Sequence, residues 1–142
     1  MRSVLIPFDG SDGAKRALQY AIDFVREYGR LSVHLLNVQD EPVVYGDYLT
    51  ASLLDSLRKA ALRAADEVLA SGQEMLAAAG IQCHSHTALG GVAEQVARAV
   101  AVQGCDTVIM GTRGMGAVSN LLMGSVATRV VHLSQVPVLL VK

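Results

Sequence analysis

A glycine-rich stretch follows the fourth apolar run of the chain and has the features of an anion-binding site. Gly111 and Gly114 come directly after a run that ends at Met110, while Gly124 and Ser125 begin a new helical pattern. Glycine backbone approaches a ligand closely because no Cβ intervenes, and positive φ costs it little. A helix N-terminus adds unpaired N–H groups and the positive end of its dipole. The stretch therefore predicts a nest for phosphate groups; a simple tight turn is the alternative.

Two charged side chains accompany this stretch. Asp9 follows the first apolar run, where a carboxylate can accept from ribose hydroxyls or help to hold a divalent ion. The alternative is a turn aspartate that accepts from neighbouring amides. Arg113 lies among the glycines and can contact phosphate oxygens, or it can be a solvated loop arginine.

Several enzyme classes lack their required residues here. A Walker-type loop needs a lysine after its second glycine, and no lysine occurs between Lys59 and Lys142. The dinucleotide fingerprint G-x-G-x-x-G is also absent after the first apolar run. Efficient phosphoryl transfer requires a positioned base, which the glycine stretch does not offer, and Ser119 and Ser125 lack a nucleophile elbow. We therefore assign no catalytic residue.

His84 and His86 are two residues apart and face the same side of a predicted strand. A metal site is one interpretation, but the nearby sequence offers no third ligand. We favour a polar edge strand and assign no metal ligand.

The elements that must position these residues alternate between two patterns. Short apolar runs predict strands, and stretches with helical spacing predict the helices between them. Strands are predicted at 3–8, 31–38, 81–89, 106–111 and 136–141, and helices at 11–28, 51–79, 92–103 and 124–134. This alternation predicts right-handed crossovers and a parallel sheet with helices on both faces, in a single domain spanning 1–142. The third strand is more polar and is expected at an edge.

In the longest predicted helix we expect one face to point inward. Its members share helical spacing and apolar character: Leu53, Leu57, Ala61, Ala64, Val68 and Met75.

Composition narrows the class of protein further. Apolar residues make up 51% of the chain and aromatic residues 4%, so the core must be aliphatic. A net charge of −1 with dispersed basic residues argues against a nucleic-acid or anionic-membrane partner. No apolar run is long enough to cross a bilayer, and a strand begins too early for a signal peptide. Cys83 and Cys105 lack CxxC spacing, which favours a reducing cytoplasm.

Three segments together resemble the universal stress protein family, in its ATP-binding subgroup. The glycines follow G-x2-G-x9-G-S, residues 4–11 read Val-Leu-Ile-Pro-Phe-Asp-Gly-Ser, and residues 136–141 read Val-Pro-Val-Leu-Leu-Val. The resemblance covers the chain end to end and implies an open five-stranded α/β sheet of order 3-2-1-4-5. Ligands bind such sheets at the switch point, here between strands one and four. Gly116 lies outside the spacing, and the apolar segment 117–123 is expected to cover either the ligand or a partner surface.

The resemblance also implies an ATP site, with Mg²⁺ or Mn²⁺ as the divalent ion. Backbone at Gly111 and Gly114 is expected to hold phosphates, while Gly124, Ser125 and Val126 supply amides and a hydroxyl to the distal ones. The predicted ATP-binding residues are Pro7, Asp9, Val38, Met110, Gly111, Arg113, Gly114, Gly124, Ser125 and Val126.

By the same resemblance, the backbone of Val38 pairs with the adenine edge, and two chains form a homodimer through the C-terminal strand. The function implied is a cytoplasmic stress-response module that binds ATP without efficient turnover. One alternative is a slow ATPase or autophosphorylating enzyme that uses the same pocket. The other is a nucleotide-free dimeric interaction protein, against which the complete glycine spacing counts.

Overall fold

The computed structural model describes residues 1–46, 50–115 and 123–142. Within them, strands and helices alternate as the sequence predicts, with bounds that differ by at most two residues. The elements are β1 (Ser3–Pro7), α1 (Asp12–Tyr28), β2 (Ser32–Gln39), α2 (Ala51–Ala78), β3 (Cys83–Leu89), α3 (Val92–Gln103), β4 (Thr107–Gly111), α4 (Ser125–Leu133) and β5 (Val138–Val141). Gly116, Ser119 and most of the apolar segment after Gly116 lie outside the described residues.

The five strands form one parallel sheet in the order β3-β2-β1-β4-β5, which confirms the predicted fold. β1 occupies the centre, and its residues Val4, Leu5 and Ile6 are fully buried. Strand β3 lies at an edge, as its polar sequence predicts. Because parallel strands all end at the same edge of the sheet, the ends of β1 and β4 lie side by side at the switch point.

Alternate residues of the strands build a core on each face of the sheet. Ile6 packs with Leu18 of α1 and Leu69 of α2 on one face. Leu5, its neighbour in the chain, packs with Val96 of α3 and Val130 of α4 on the other. Continuous apolar runs are the expected signature of strands that are covered on both sides.

The predicted inward face of α2 is only partly correct. Leu53 and Leu57 are 42% and 37% exposed, while the fully buried stripe lies one position further along, at Ala65, Leu69, Gly72 and Leu76. A 28-residue helix spans about 42 Å and an eight-residue strand about 26 Å, so α2 is too long for the sheet to cover its first turns. Alanine- and leucine-rich sequence also offers several apolar stripes, and periodicity does not choose among them. Neither α2 nor any other helix in the described ranges is long and apolar enough to cross a membrane.

Candidate functional site

A cleft of about 330 Å³ opens at the carboxyl edge of the sheet, between the ends of β1, β2 and β4 and the start of α4. This volume is within the range of small-molecule sites. All ten residues predicted from the sequence line it: Pro7, Asp9, Val38, Met110, Gly111, Arg113, Gly114, Gly124, Ser125 and Val126. Residues far apart in the chain therefore meet where the strand order reverses.

Asp9 joins the two sides of the cleft. Its Oδ1 accepts from the Ser11 amide at 2.9 Å, which is the local turn contact that the sequence left as an alternative. Its Oδ2 accepts from the Met115 amide at 3.2 Å, 106 residues away in the chain. Each carboxylate oxygen has two lone pairs, so both retain capacity for a ligand hydroxyl or a cation.

The glycines of the site are needed for close packing, not for an unusual backbone conformation. A Cβ on Gly111 would lie 2.7 Å from the carbonyl carbon of Gly13, at the start of α1. A Cβ on Gly114 would lie 2.7 Å from Asp9 Oδ2. Neither glycine has a positive φ. Gly111 therefore brings α1 against β4, a packing role that the sequence analysis did not anticipate, while Gly114 keeps the carboxylate accessible.

The amide of Gly124 is not available to a ligand in this structure. It donates to the Thr112 carbonyl at 2.7 Å, and the role of Gly124 at the distal phosphates stays a prediction. The bond turns the chain into α4, whose first-turn amides at Ser125 and Val126 have no acceptor within the helix. The N-cap glycine has no side chain to satisfy them, whereas Ser11 caps α1 with its hydroxyl at 3.2 Å.

Arg113 lines the cleft with an exposed side chain, and Val38 lines it at the end of β2, half-buried. Both lie where the sequence places them. The sequence analysis missed Asn37, which is 4% exposed and whose Nδ2 donates to the Phe8 carbonyl at 2.8 Å. A lone asparagine inside an apolar run was the available signal.

An ion pair lies beside the cleft and joins the first turn of α3 to the middle of α4. Arg129 Nε donates to Glu94 Oε1 at 2.8 Å. The pKa of Glu94 lies below its ordinary value because the carboxylate accepts from its own backbone amide and from Arg129. The pair is exposed to solvent and contributes little to stability, while Val92 of α3 forms part of the cleft wall.

Three histidines form a second polar group on the sheet, here named the histidine cluster: His34, His84 and His86. His34 Nδ1 and His86 Nε2 are 3.0 Å apart, and His34 stacks on His84 with ring centroids 4.9 Å apart. Burial, followed by the charges of His86 and His84, lowers the pKa of His34, and burial, followed by the charge of His84, lowers the pKa of His86. The third ring is that of His34, which lies on β2 and is far from His84 and His86 in the sequence. Across the described ranges, no three metal-ligating side chains are arranged to hold an ion.

Comparison with known proteins places the chain in a family. The universal stress protein family model matches residues 1–142. The chain belongs to this family. A universal stress protein of Thermus aquaticus, encoded in the QAH/OAS sulfhydrylase 3′ region, is 36% identical over 144 residues, covering 99% of this chain and 98% of the relative. The solved structure of hypothetical protein MJ0577 superposes with a TM-score of 0.85 at 26% identity, covering 99% of this chain and 95% of that one.

Two other solved universal stress proteins contain nucleotides. One is in complex with cAMP (TM-score 0.68, 20% identity, covering 99% of this chain and 97% of that one). One from Arabidopsis thaliana has AMP bound (TM-score 0.66, 16% identity, covering 100% of this chain and 92% of that one). At these identities the likeness is one of fold.

Proposed function

We propose that this universal stress protein binds ATP in the cleft and acts as a nucleotide-dependent binding module in the stress response. The observation that carries the proposal is the meeting, in one cleft, of Asp9 from β1 with the glycine-capped start of α4 at Ser125. A carboxylate for the ribose or its ion therefore lies across the cleft from amides suited to an anion. The nucleotides bound to other members of the family are consistent with this arrangement.

The cleft has an apolar part and a part rich in backbone amides, just as a nucleotide has an apolar base and a charged phosphate chain. Apolar side chains of Leu36, Val38, Val92 and Met110 supply contacts for a flat base. The glycine stretch and the start of α4 supply the amides that a phosphate chain requires. We infer that the base lies over β2 and the phosphates extend towards Ser125 and Val126.

A divalent ion, Mg²⁺ or Mn²⁺, fits this donor set. Mg²⁺ in nucleotide sites is held by one or two carboxylates together with phosphate oxygens and water. Asp9 supplies a carboxylate whose oxygens have lone pairs to spare beyond the Ser11 and Met115 amides. The ion would reduce the repulsion between that carboxylate and the phosphates.

Binding without efficient turnover is the activity that these residues support. Transfer of a phosphoryl group requires a positioned base along with a metal-holding carboxylate and a charge stabiliser. Among the described residues that line the cleft, Asp9 and Arg113 are the only charged side chains, and no histidine is present. In this proposal Asp9 holds the ribose or the metal ion, so the described lining offers no separate side chain as general base.

We further propose a cytoplasmic homodimer that forms through β5. This strand is at the edge of the sheet, and its four apolar residues are half-buried. An apolar edge invites pairing with another strand, and a two-fold dimer closes that edge. Sedimentation equilibrium tests it: a dimer is expected for the purified chain and a monomer for Leu140→Lys.

The experiment that tests the nucleotide site is isothermal titration of purified, nucleotide-stripped protein with ATP and Mg²⁺. We expect saturable binding at about one nucleotide per chain, and recovery of intact ATP after the protein is denatured. Recovery of ADP instead would indicate the slow ATPase. Absence of binding would leave an interaction protein without nucleotide.

A further inference from the structure

Asn37 is a buried polar side chain in the apolar wall of the cleft. It precedes Val38 on β2, and its Nδ2 donates to the Phe8 carbonyl at 2.8 Å. Its Oδ1 accepts from Gln39 Nε2 at 2.7 Å. Because a carbonyl only accepts hydrogen bonds, Phe8 determines which end of the carboxamide faces β1.

The Phe8 carbonyl lies where the hydrogen-bond ladder between β1 and β2 ends. Pro7 pairs with Leu36 in the register, and the Phe8 amide still donates to the Leu36 carbonyl at 2.8 Å, one residue beyond β1. Backbone groups along a strand alternate between its two neighbours, so Val38 directs its N–H and C=O to the same side as Leu36. One further rung would join the Val38 amide to the Phe8 carbonyl.

We propose that Asn37 is a positioning residue: its hydrogen bond turns the Phe8 carbonyl away from the Val38 amide, ends the ladder there, and leaves the N–H and C=O of Val38 for the hydrogen-bonding edge of a purine base. The inference rests on the proposed function and adds to it the residue that makes this backbone available. An N–H beside a C=O matches the adjacent acceptor and donor on the Watson–Crick edge of adenine. On guanine the corresponding groups are reversed.

The same bond positions the other side of the cleft. By holding the Phe8 carbonyl, Asn37 orients the peptide group that connects Phe8 to Asp9. The Asp9 carboxylate then points towards Met115 and accepts a hydrogen bond from its amide at 3.2 Å. The Asn37 carboxamide thus positions both the Val38 backbone for the base and the Asp9 carboxylate for the sugar or its ion.

The test follows the amide of Val38 by NMR hydrogen exchange in the full chain, with and without ATP and Mg²⁺. In the wild type we expect fast exchange without nucleotide and at least tenfold slower exchange with it. In Asn37→Ala the Phe8 carbonyl becomes free to accept the Val38 amide, so this amide should be protected without nucleotide. The Kd for ATP should rise about tenfold, as expected for loss of one well-placed hydrogen bond.

Two variants separate positioning from general loss of stability. Leu76→Ala opens the core at the opposite edge of the sheet, where Leu76 is fully buried. It should lower the melting temperature and leave both Val38 exchange and the Kd unchanged. Gln39→Ala removes only the partner of Asn37 Oδ1 and should shift both quantities in the direction of Asn37→Ala, by less.

The outcomes distinguish the two proposals. If the wild type binds ATP and Asn37→Ala changes neither exchange nor Kd beyond the Leu76→Ala control, the role of Asn37 is overturned and the proposed function stands. If the wild type binds no nucleotide, the proposed function fails, and so does the assignment of a purine base to the Val38 backbone. The exchange rates still decide whether Asn37 ends the ladder.

Discussion

The cleft and the histidine cluster both gather polar groups on one sheet, but they lie at different positions along its strands. The cleft lies where strands end and the chain turns away, so backbone amides and carbonyls lose their ladder partners and face the opening. The cluster lies within β2 and β3, whose registers pair His34 with His84 and continue on both sides. There the backbone groups pair within the sheet, and the rings of His34 and His86 hydrogen-bond to each other. Position along a strand thus determines whether polar groups face an open cleft or pair with one another within the sheet.

The largest effect is expected from a side chain placed inside the cleft. Gly114→Val should lower ATP affinity at least a hundredfold, because a Cβ at this position meets Asp9 Oδ2. Isothermal titration measures the loss, and circular dichroism should show an unchanged fold. If Gly114→Val kept its affinity for ATP, close approach of the ligand to Gly114 would be contradicted. The distinction between the cleft and the histidine cluster would then fail as well.

The next effect distinguishes glycines that pack from glycines that turn. Gly111→Ala should destabilise the protein by about 1–3 kcal/mol, as overpacking does, because α1 and β4 must separate to admit the methyl group. Gly124→Ala should cost much less, since its Cβ would lie 3.3 Å from the Thr112 carbonyl. Urea denaturation of both variants measures the difference. Equal losses would contradict the assignment of Gly111 to helix packing.

A smaller effect tests the carboxylate of the cleft. Asp9→Asn keeps the size of the side chain and removes its charge, so ATP affinity should fall about tenfold in the presence of Mg²⁺ and little in its absence. Titrations with and without the metal give the ratio. The same loss under both conditions would assign Asp9 to the sugar alone.

The smallest effect concerns the histidine cluster and pH. The pKa values of His34 and His86 are lowered in the fold, so below the unfolded value of about 6.5 the unfolded chain binds more protons than the native one. This contribution to stability is complete above pH 6.5 and declines as the pH falls towards the lowered folded values. Urea midpoints between pH 7.5 and 5 should decrease, with a shallower decrease for His34→Leu. ATP affinity of the two proteins should stay equal at each pH, and a divergence would link the cluster to the cleft.

The sequence predicted the elements well because uniform apolar runs and capped helical spacing have few competing interpretations. Strand order required a family resemblance, since periodicity carries no information about neighbours in the sheet. Asn37 and His34 were missed because both lie inside apolar runs, where their partners come from other strands. The face of α2 was misjudged because burial depends on where the sheet ends, which the helix sequence does not record.

Strand β1 has a consequence for how this protein is made. It leaves the ribosome before the other strands of the sheet, yet Val4 pairs with Thr107 of β4, about a hundred residues later in the chain. At the usual pace of synthesis, 5–20 residues per second, β1 waits on the order of 5–20 s for its second neighbour. The nascent chain therefore has one side of its central strand unpaired for that time, and the cleft cannot form until β4 and α4 have been synthesised.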